Sequence, residues 1–283
     1  MKKYSETAMK YVFMASATVS IIAVIVICIF LFSKGFPTIA EIGIFEFLGG
    51  TVWKPLEGSF GIFPMIVGSI YVTAGAIILG VPIGILCAVF MAKFCPKGLY
   101  RILKPAVDLL AGIPSIVYGF FGLMVIVPAM QNIFGTGGKG ILTASILLAI
   151  MILPTIIGVA ESSLRAVPES YYEGSLALGA THERSVFFTT LPAAKSGILA
   201  GVILGIGRAI GETMAVVYIA GNQAVMPESL LSGVRTMTAN IVLEMGYASD
   251  GIHRNALIAT AVVLFVFILI INLSFSLLKR RDN

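Results

Sequence analysis

Two charged side chains, Arg208 and Glu212, stand inside a stretch from Ser196 to Ala220 that is otherwise almost wholly apolar. About 20 apolar residues in a helix cross a bilayer, so the sequence predicts that both charges lie within a membrane. An arginine at that depth costs about 2.5–3.5 kcal/mol, which a glutamate four residues along the same helical face can offset by pairing with it. Arg208 and Glu212, with the adjacent Thr213, are therefore the candidate polar element of a solute pathway. The alternative is a salt bridge that only fixes helix packing.

The same predicted helix carries glycines at a spacing of four. Gly197, Gly201 and Gly205 fall on one face with Arg208 and Glu212, within a stripe roughly 80° wide at about 100° per residue. Small residues at this spacing let a second helix approach closely. We therefore expect this face to contact protein or a water-filled path, and not lipid.

The composition indicates an all-α integral membrane protein. Hydrophobic residues make up 58% of the 283 residues and charged residues only 12%, against about 25% charged in soluble domains. The three cysteines and two histidines show no metal-ligand spacing. The glycine-rich segment 135–140 lacks the Lys-Ser/Thr ending of a phosphate-binding P-loop. No catalytic residues, metal site or nucleic-acid surface are expected, and any energy source must be another chain.

The apolar runs predict six membrane-spanning helices, several with an internal proline. They cover about Tyr11–Phe32, Phe63–Met91, Ala106–Met130, Ile141–Ala160, Ser196–Ala220 and Ala256–Leu278. Between the first two, the segment Ser33–Ser59 contains Trp53 and is expected to lie at the membrane interface, where tryptophan is enriched. This divides the chain into a first helix with its outer loop, 1–60, and a core of five helices, 61–283.

The distribution of lysines and arginines predicts how the chain is oriented in the membrane. With the N-terminus inside, the inner segments carry 13 of these residues and the outer segments five. Cytoplasmic loops of membrane proteins carry such an excess. The sequence therefore predicts a multi-pass protein of the cell (inner) membrane with both termini in the cytoplasm.

The longest inner segment, 161–195, contains helix signals of its own. Pro168 and Glu169 suit the first turn of a helix, and Leu191-Pro192 closes the segment just before the fifth span. A short helix, a glycine turn and a second short helix would form a knob that a soluble partner could grip. An ordinary amphipathic loop is the alternative.

This segment resembles the EAA loop of ABC importer permeases, in which Glu-Ala-Ala is followed after three residues by Gly and after nine more by Ile-x-Leu-Pro. Glu173, Gly179 and Leu191-Pro192 keep that spacing, whereas Gly174-Ser175 replace the two alanines and Thr189 replaces the isoleucine. The resemblance implies that residues Glu173, Gly174, Ser175, Gly179, Leu191 and Pro192 belong to a coupling helix that docks on a cytoplasmic ATPase.

Further stretches are similar to the permeases of phosphate importers, and to the PstC type in particular. They are Gly61–Ser69, Leu110–Gly119, Arg208–Thr213, Thr236–Ile241 and Glu244–Ala248, the last followed by His253–Leu257. The resemblance implies the six-helix bundle of a type I ABC importer permease with cytoplasmic coupling helices, and it implicates Arg208 and Glu212 in phosphate passage.

The same resemblance implies a set of partners. They are a second permease of the PstA type, two copies of a PstB-type ATPase that carries the ATP and Mg, an extracytoplasmic phosphate-binding protein of the PstS type, and a sensor kinase. No cofactor is expected on this chain. Three alternatives stay open at this point: a permease for another oxyanion such as sulfate or molybdate, a membrane signalling or scaffold subunit, and a proton-coupled secondary transporter.

Overall fold

The computed structural model describes residues 2–281, with the side chains of residues 9–274 and 277. The predicted inner charges Lys2, Lys3, Lys279, Arg280 and Arg281 have side chains outside the described residues. Helix α1 (Lys2–Ile42) leads through α2 (Ile44–Gly49) into a small antiparallel hairpin. Its strands β1 (Trp53–Lys54) and β2 (Ser59–Phe60) pair Trp53 with Phe60.

Among the described residues, five helices are long and apolar enough to cross a membrane, and the number is six when a bent helix pair is counted as one span. The five cover Met9–Ile42, Phe63–Phe94, Ser115–Phe134, Ile141–Arg165 and Ile252–Ser274. The bent pair is His182–Ala193 and Lys195–Gly211, which meet at 69°. Three of these spans correspond to the helices α3 (Phe63–Val89), α7 (Ile141–Arg165) and α14 (Ile252–Arg281).

The third span differs from the prediction of one helix over about 106–130. The chain forms α4 (Lys97–Gly112), then an extended break at Ile113-Pro114, then α5 (Ser115–Phe121), a π-helical turn (Gly122–Ile126) and α6 (Val127–Phe134). Residues before a proline disfavour helical backbone, which explains the break. The predicted basic loop is therefore largely a helix of its own.

The fifth span is also interrupted, and the prediction of one helix over 196–220 is wrong. Helix α11 (Lys195–Gly211) ends before Glu212, whose backbone is extended (φ −70°, ψ 131°), and α12 (Met214–Ile219) follows. Before α11, the chain forms α8 (Glu169–Ala177), α9 (His182–Ser185), a π-helical turn (Val186–Thr190) and α10 (Leu191–Ala193). These short helices confirm the predicted knob, with Pro168 at the N-cap and not in the first turn.

The core lies where α7 packs between α3 and α11. Leu147, Met151 and Ile152 of α7 are at most 1% exposed. A Cβ on Gly80 or Gly205 would lie 2.9 Å from an Ile152 or Ile156 carbon, so glycine is what lets α3 and α11 approach α7 this closely. At the opposite end of the bundle from α8, α13 (Met237–Met245) and the hairpin pack beside α14.

Candidate functional site

Arg208 lies in the last turn of α11, on the face where the glycines of that helix meet α7. A Cβ on Gly201 would lie 3.0 Å from Val159, and one on Gly205 would lie 2.9 Å from Ile156. The expected close helix approach is therefore confirmed. One turn further on, Arg208 is half-buried and its Nη1 donates to Thr155 Oγ1 at 3.4 Å.

Glu212 does not form the predicted ion pair with Arg208. Among the described residues, no carboxylate oxygen lies within 4.0 Å of the Arg208 guanidinium nitrogens. Glu212 Oε1 instead accepts hydrogen bonds from the backbone N–H groups of Thr213 and Ala215, both at 3.1 Å. The first N–H groups of a helix lack partners within the helix, so this carboxylate caps α12. The helix break turns the acidic side chain away from the arginine.

The backbone freed at this break finds its own partners. Thr213 Oγ1 donates to the carbonyl of Gly211 at 3.3 Å. The carbonyl of Glu212 accepts from Thr238 Oγ1 of α13 at 3.0 Å. Backbone at membrane depth is tolerated outside a helix only where protein or cavity water satisfies it. The break is thus a built feature in which α13 takes part.

The predicted coupling residues lie at the α8 end, in a loop that leads directly into α11. Glu173 and Gly174 are exposed on α8, and Gly179 ends that helix with a positive φ of +85°. Left-handed backbone favours glycine, which explains Gly179 without reference to a partner. Leu178 beside it is 92% exposed. An apolar side chain so placed marks a surface suited to a protein partner.

We call residues Glu173–Pro192 the coupling loop. It is held by contacts within the loop, with the preceding Tyr172 and with the apolar cluster at the end of α3. Ser175 and Ser185 form a hydroxyl pair at 3.0 Å, and the Tyr172 hydroxyl lies 2.7 Å from His182 Nδ1. Leu191 is half-buried in the apolar cluster that contains Ala194 and Ile198, and Pro192 is exposed in α10. The six predicted residues therefore all belong to the coupling loop, which precedes the helix that carries Arg208.

A buried ionic cluster that sequence reasoning missed lies next to this loop. Glu161, 2% exposed near the end of α7, accepts the Tyr100 hydroxyl at 2.6 Å and Arg165 Nε at 2.8 Å on Oε1. Its Oε2 pairs with Lys104 Nζ at 3.3 Å. We call these four residues the Glu161 cluster. The only signal in the sequence was an acid at the end of an apolar run, facing a basic segment.

The carboxylate of this cluster shifts the titration of its α4 partners. The hydrogen bond to Glu161 raises the pKa of Tyr100, with burial adding to the effect. Burial opposes the charged form of Lys104, but hydrogen bonds to Asp108 and Glu161 outweigh it and raise the pKa of that amine. Both side chains therefore stay protonated through the physiological range.

A second cluster, also missed, lies at the opposite end of the bundle. Glu244 of α13, 5% exposed, accepts Trp53 Nε1–H at 2.8 Å and Arg235 Nη1 at 2.6 Å, and His253 Nε2 lies 3.0 Å from it. Trp53 is only 6% exposed, so protein contacts, and not an exposed interfacial position, fix its place. We call these residues the Glu244 cluster.

Within the part of the chain that the structure describes, no three His, Cys, Asp or Glu side chains gather closely enough to hold a metal ion. The charged groups that do gather, in the Glu161 and Glu244 clusters, are saturated with one another. Arg208, outside both clusters, is a half-buried cation next to a break in its helix. The arrangement suits passage of an anion past a polar point.

Comparison with known sequences finds relatives along most of the chain. Residues 80–281 match the family described as binding-protein-dependent transport system inner membrane component. The probable ABC transporter permease protein YqgH of Bacillus subtilis is 37% identical over 280 residues, covering 95% of this chain and 91% of that protein. The phosphate transport system permease protein PstC of Mesorhizobium japonicum is 35% identical over 277 residues, covering 90% and 84%.

Solved structures with the same fold share less sequence. A chain of the inward-facing MetNI methionine ABC transporter matches with a TM-score of 0.64 at 19% identity, covering 82% of this chain and 100% of that one. A chain of a bacterial alginate ABC importer matches with a TM-score of 0.63 at 15% identity, covering 99% of both. These likenesses concern the fold alone.

Proposed function

Since the chain belongs to the family of binding-protein-dependent transport system inner membrane components, we propose that it forms half of the path through which an ATP-driven importer moves phosphate. Its fold is that of a type I ABC importer permease. Its family and its curated relatives are permease components, so it is a transport subunit and not an enzyme. We propose phosphate as the substrate because two relatives are named phosphate transport system permease proteins, at 35% identity over most of their length.

The observation that carries the proposal is the half-buried Arg208 without a carboxylate within 4.0 Å among the described residues. A membrane-embedded cation is costly, and an unpaired one is most stable when an anion is near. Its hydrogen bond to the Thr155 hydroxyl is long, at 3.4 Å, and uses one donor, so the other N–H groups of the guanidinium can bind oxyanion oxygens. A single arginine lowers the barrier to a dianion without holding it tightly, as a transit point requires. Glu212 and Thr213 shape the helix break beside it.

Energy reaches this path through the coupling loop from Glu173 to Pro192. We propose that its exposed face docks on a PstB-type ATPase, present in two copies, which carries the ATP and Mg. Because the loop leads without a linker into α11, a pull on the loop acts on the helix that carries Arg208. A PstA-type permease completes the path, and a PstS-type binding protein delivers phosphate at the end that carries Trp53. With the coupling loop on the cytoplasmic side, both termini also lie in the cytoplasm. Residues 1–60 are then an addition to the core of residues 61–283.

The test is phosphate uptake by the whole complex in vesicles. Arg208→Gln should leave the complex assembled and abolish uptake, because the uncharged amide cannot offset a dianion in low dielectric. Arg254→Gln, the same change at an arginine whose side chain is 53% exposed, is the matched control and should transport normally. Normal uptake by Arg208→Gln would refute the pathway role. Equal competition by sulfate or molybdate would refute phosphate as the substrate.

A further inference from the structure

The Glu161 cluster fastens α4 to α7 through charged groups. None of the 16 residues of α4, all of them described, is buried. Tyr100 and Lys104 face α7, while Ile102 and Leu109 on other sides are 69% and 73% exposed. Of its apolar side chains, Leu103 and Val107 are half-buried and none is fully buried, so the hydrophobic effect holds this helix only in part. Its position against α7 therefore depends also on the polar contacts with Glu161.

The same carboxylate is tied to the coupling loop and to α3. Arg165, which donates to Glu161, is the last residue of α7 before the turn into α8. Its Nη2 also donates to the carbonyl of Met91 in the π-helical turn Phe90–Phe94, at 2.9 Å. The guanidinium lies 4.5 Å from the Tyr100 ring centroid. One buried acid thus joins α4, α7 and the end of α3 next to the proposed ATPase contact.

From α4 the contacts continue to the break beside Arg208. The Tyr118 hydroxyl of α5 donates to the Leu110 carbonyl of α4 at 2.8 Å, across the Ile113-Pro114 break. One residue further, Gly119 of α5 abuts α12, since a Cβ there would lie 2.9 Å from Ala215 Cα. A displacement of α4 therefore has a packed route to α12 that does not pass through α11.

We propose that Glu161 is a positioning residue for energy coupling: it fixes α4 to the base of the coupling loop, so that loop movement is passed through α4 and α5 to α12. This inference rests on the proposed transport function and adds a second route beside the direct one through α11. Coupling of this kind needs the elements to move together, and the buried carboxylate is what holds them. A merely structural role would lower the amount of complex without changing the phosphate moved per ATP.

The experiment measures ATP hydrolysis and phosphate uptake together, in vesicles containing the whole complex. Couplings between protein sites are commonly worth about 5- to 150-fold, so Glu161→Gln should lower the phosphate moved per ATP about tenfold while hydrolysis continues. Lys104→Met should do the same, and the double variant should be no worse than either single one, as expected for partners in one contact. Arg101→Gln, exposed on the same helix, should be unchanged. An unchanged ratio in Glu161→Gln would overturn the proposal.

Two further measurements distinguish a coupling role from a failure of the complex to assemble. If Glu161→Gln fails to assemble, Tyr100→Phe removes one hydrogen bond and should still lower the phosphate-to-ATP ratio. Spin labels at the exposed positions Ile102 and Ser170 report on α4 and α8 without any substrate. Their separation should stay constant between nucleotide-free and ATP-bound wild-type complex and become broad in Glu161→Gln. A separation that changes between the wild-type states contradicts the coupling role even if phosphate proves to be the wrong substrate.

Discussion

Replacing Glu212 tests whether this acid caps α12 or serves as a charge for Arg208. Glu212→Ala leaves the N–H groups of Thr213 and Ala215 without their 3.1 Å partner. Loss of a side-chain cap costs about 0.5–2 kcal/mol, and loss of a negative charge at a helix N-terminus about 0.3–1 kcal/mol. Glu212 is half-exposed, so water recovers part of this. We expect a local loss of about 1.5 kcal/mol, with α11 and α7 unaffected.

Amide hydrogen exchange at Ala215 measures this loss directly, because local opening exposes that N–H. A factor of ten in an equilibrium corresponds to about 1.4 kcal/mol, so Glu212→Ala should speed exchange roughly tenfold. Glu212→Gln keeps the capping oxygen and loses only the charge, so it should speed exchange roughly two- to threefold. Glu228→Ala, at an exposed loop position, is the control and should change nothing. Exchange at Ala215 that is unaltered in Glu212→Ala would refute the cap.

Four further substitutions test the helix packing, a turn and the Glu244 cluster. Gly205→Ala should cost about 1–3 kcal/mol by forcing α11 from α7, whereas Gly207→Ala, with no atom within 4 Å of its Cβ, should raise the melting temperature of the complex by restoring helix propensity. Equal effects would contradict the close contact. Gly179→Ala should weaken binding of the ATPase in a pull-down by straining a φ of +85°. Trp53→Phe should lower the melting temperature, because it removes a hydrogen bond to the carboxylate of Glu244 worth about 1.5–3 kcal/mol; an unchanged value would count against that bond.

The helices themselves were largely predictable, because apolar runs of bilayer length leave little choice of structure. The fourth span begins at Ile141 as expected, and the second begins at Phe63. The two breaks were not placed, although their signals were present as Ile113-Pro114 and Gly211 before Glu212. A proline or glycine in an apolar run is compatible with a kink or a full interruption, and only the neighbours that accept the freed backbone decide between them. At Glu212 that neighbour is Thr238, 26 residues away.

The candidate site was predictable in its residues and not in its contacts. Arg208 lies on the glycine face of α11 as the spacing indicated, but its partner is Thr155 and not Glu212. An ion pair at a spacing of four presupposes an unbroken helix, so the error follows from the missed break. The Glu161 and Glu244 clusters join residues 61 and 191 positions apart, through Tyr100 and Trp53. Periodicity within one helix cannot reveal such pairs.

The π-helical turn Gly122–Ile126 changes which residues of the third span lie on the same face of the helix. Tyr118, Gly122, Ile126 and Met130 all face inward, three of them buried and Ile126 half-buried. In a regular α-helix at about 100° per residue, steps of four drift by about 40° each, or roughly 120° over the three steps. The wider turn absorbs that drift, as a one-residue insertion would. Cysteine scanning or cross-linking of this span should therefore find this row of four-residue steps protected, together with the buried Gly119 and Val127 beside it.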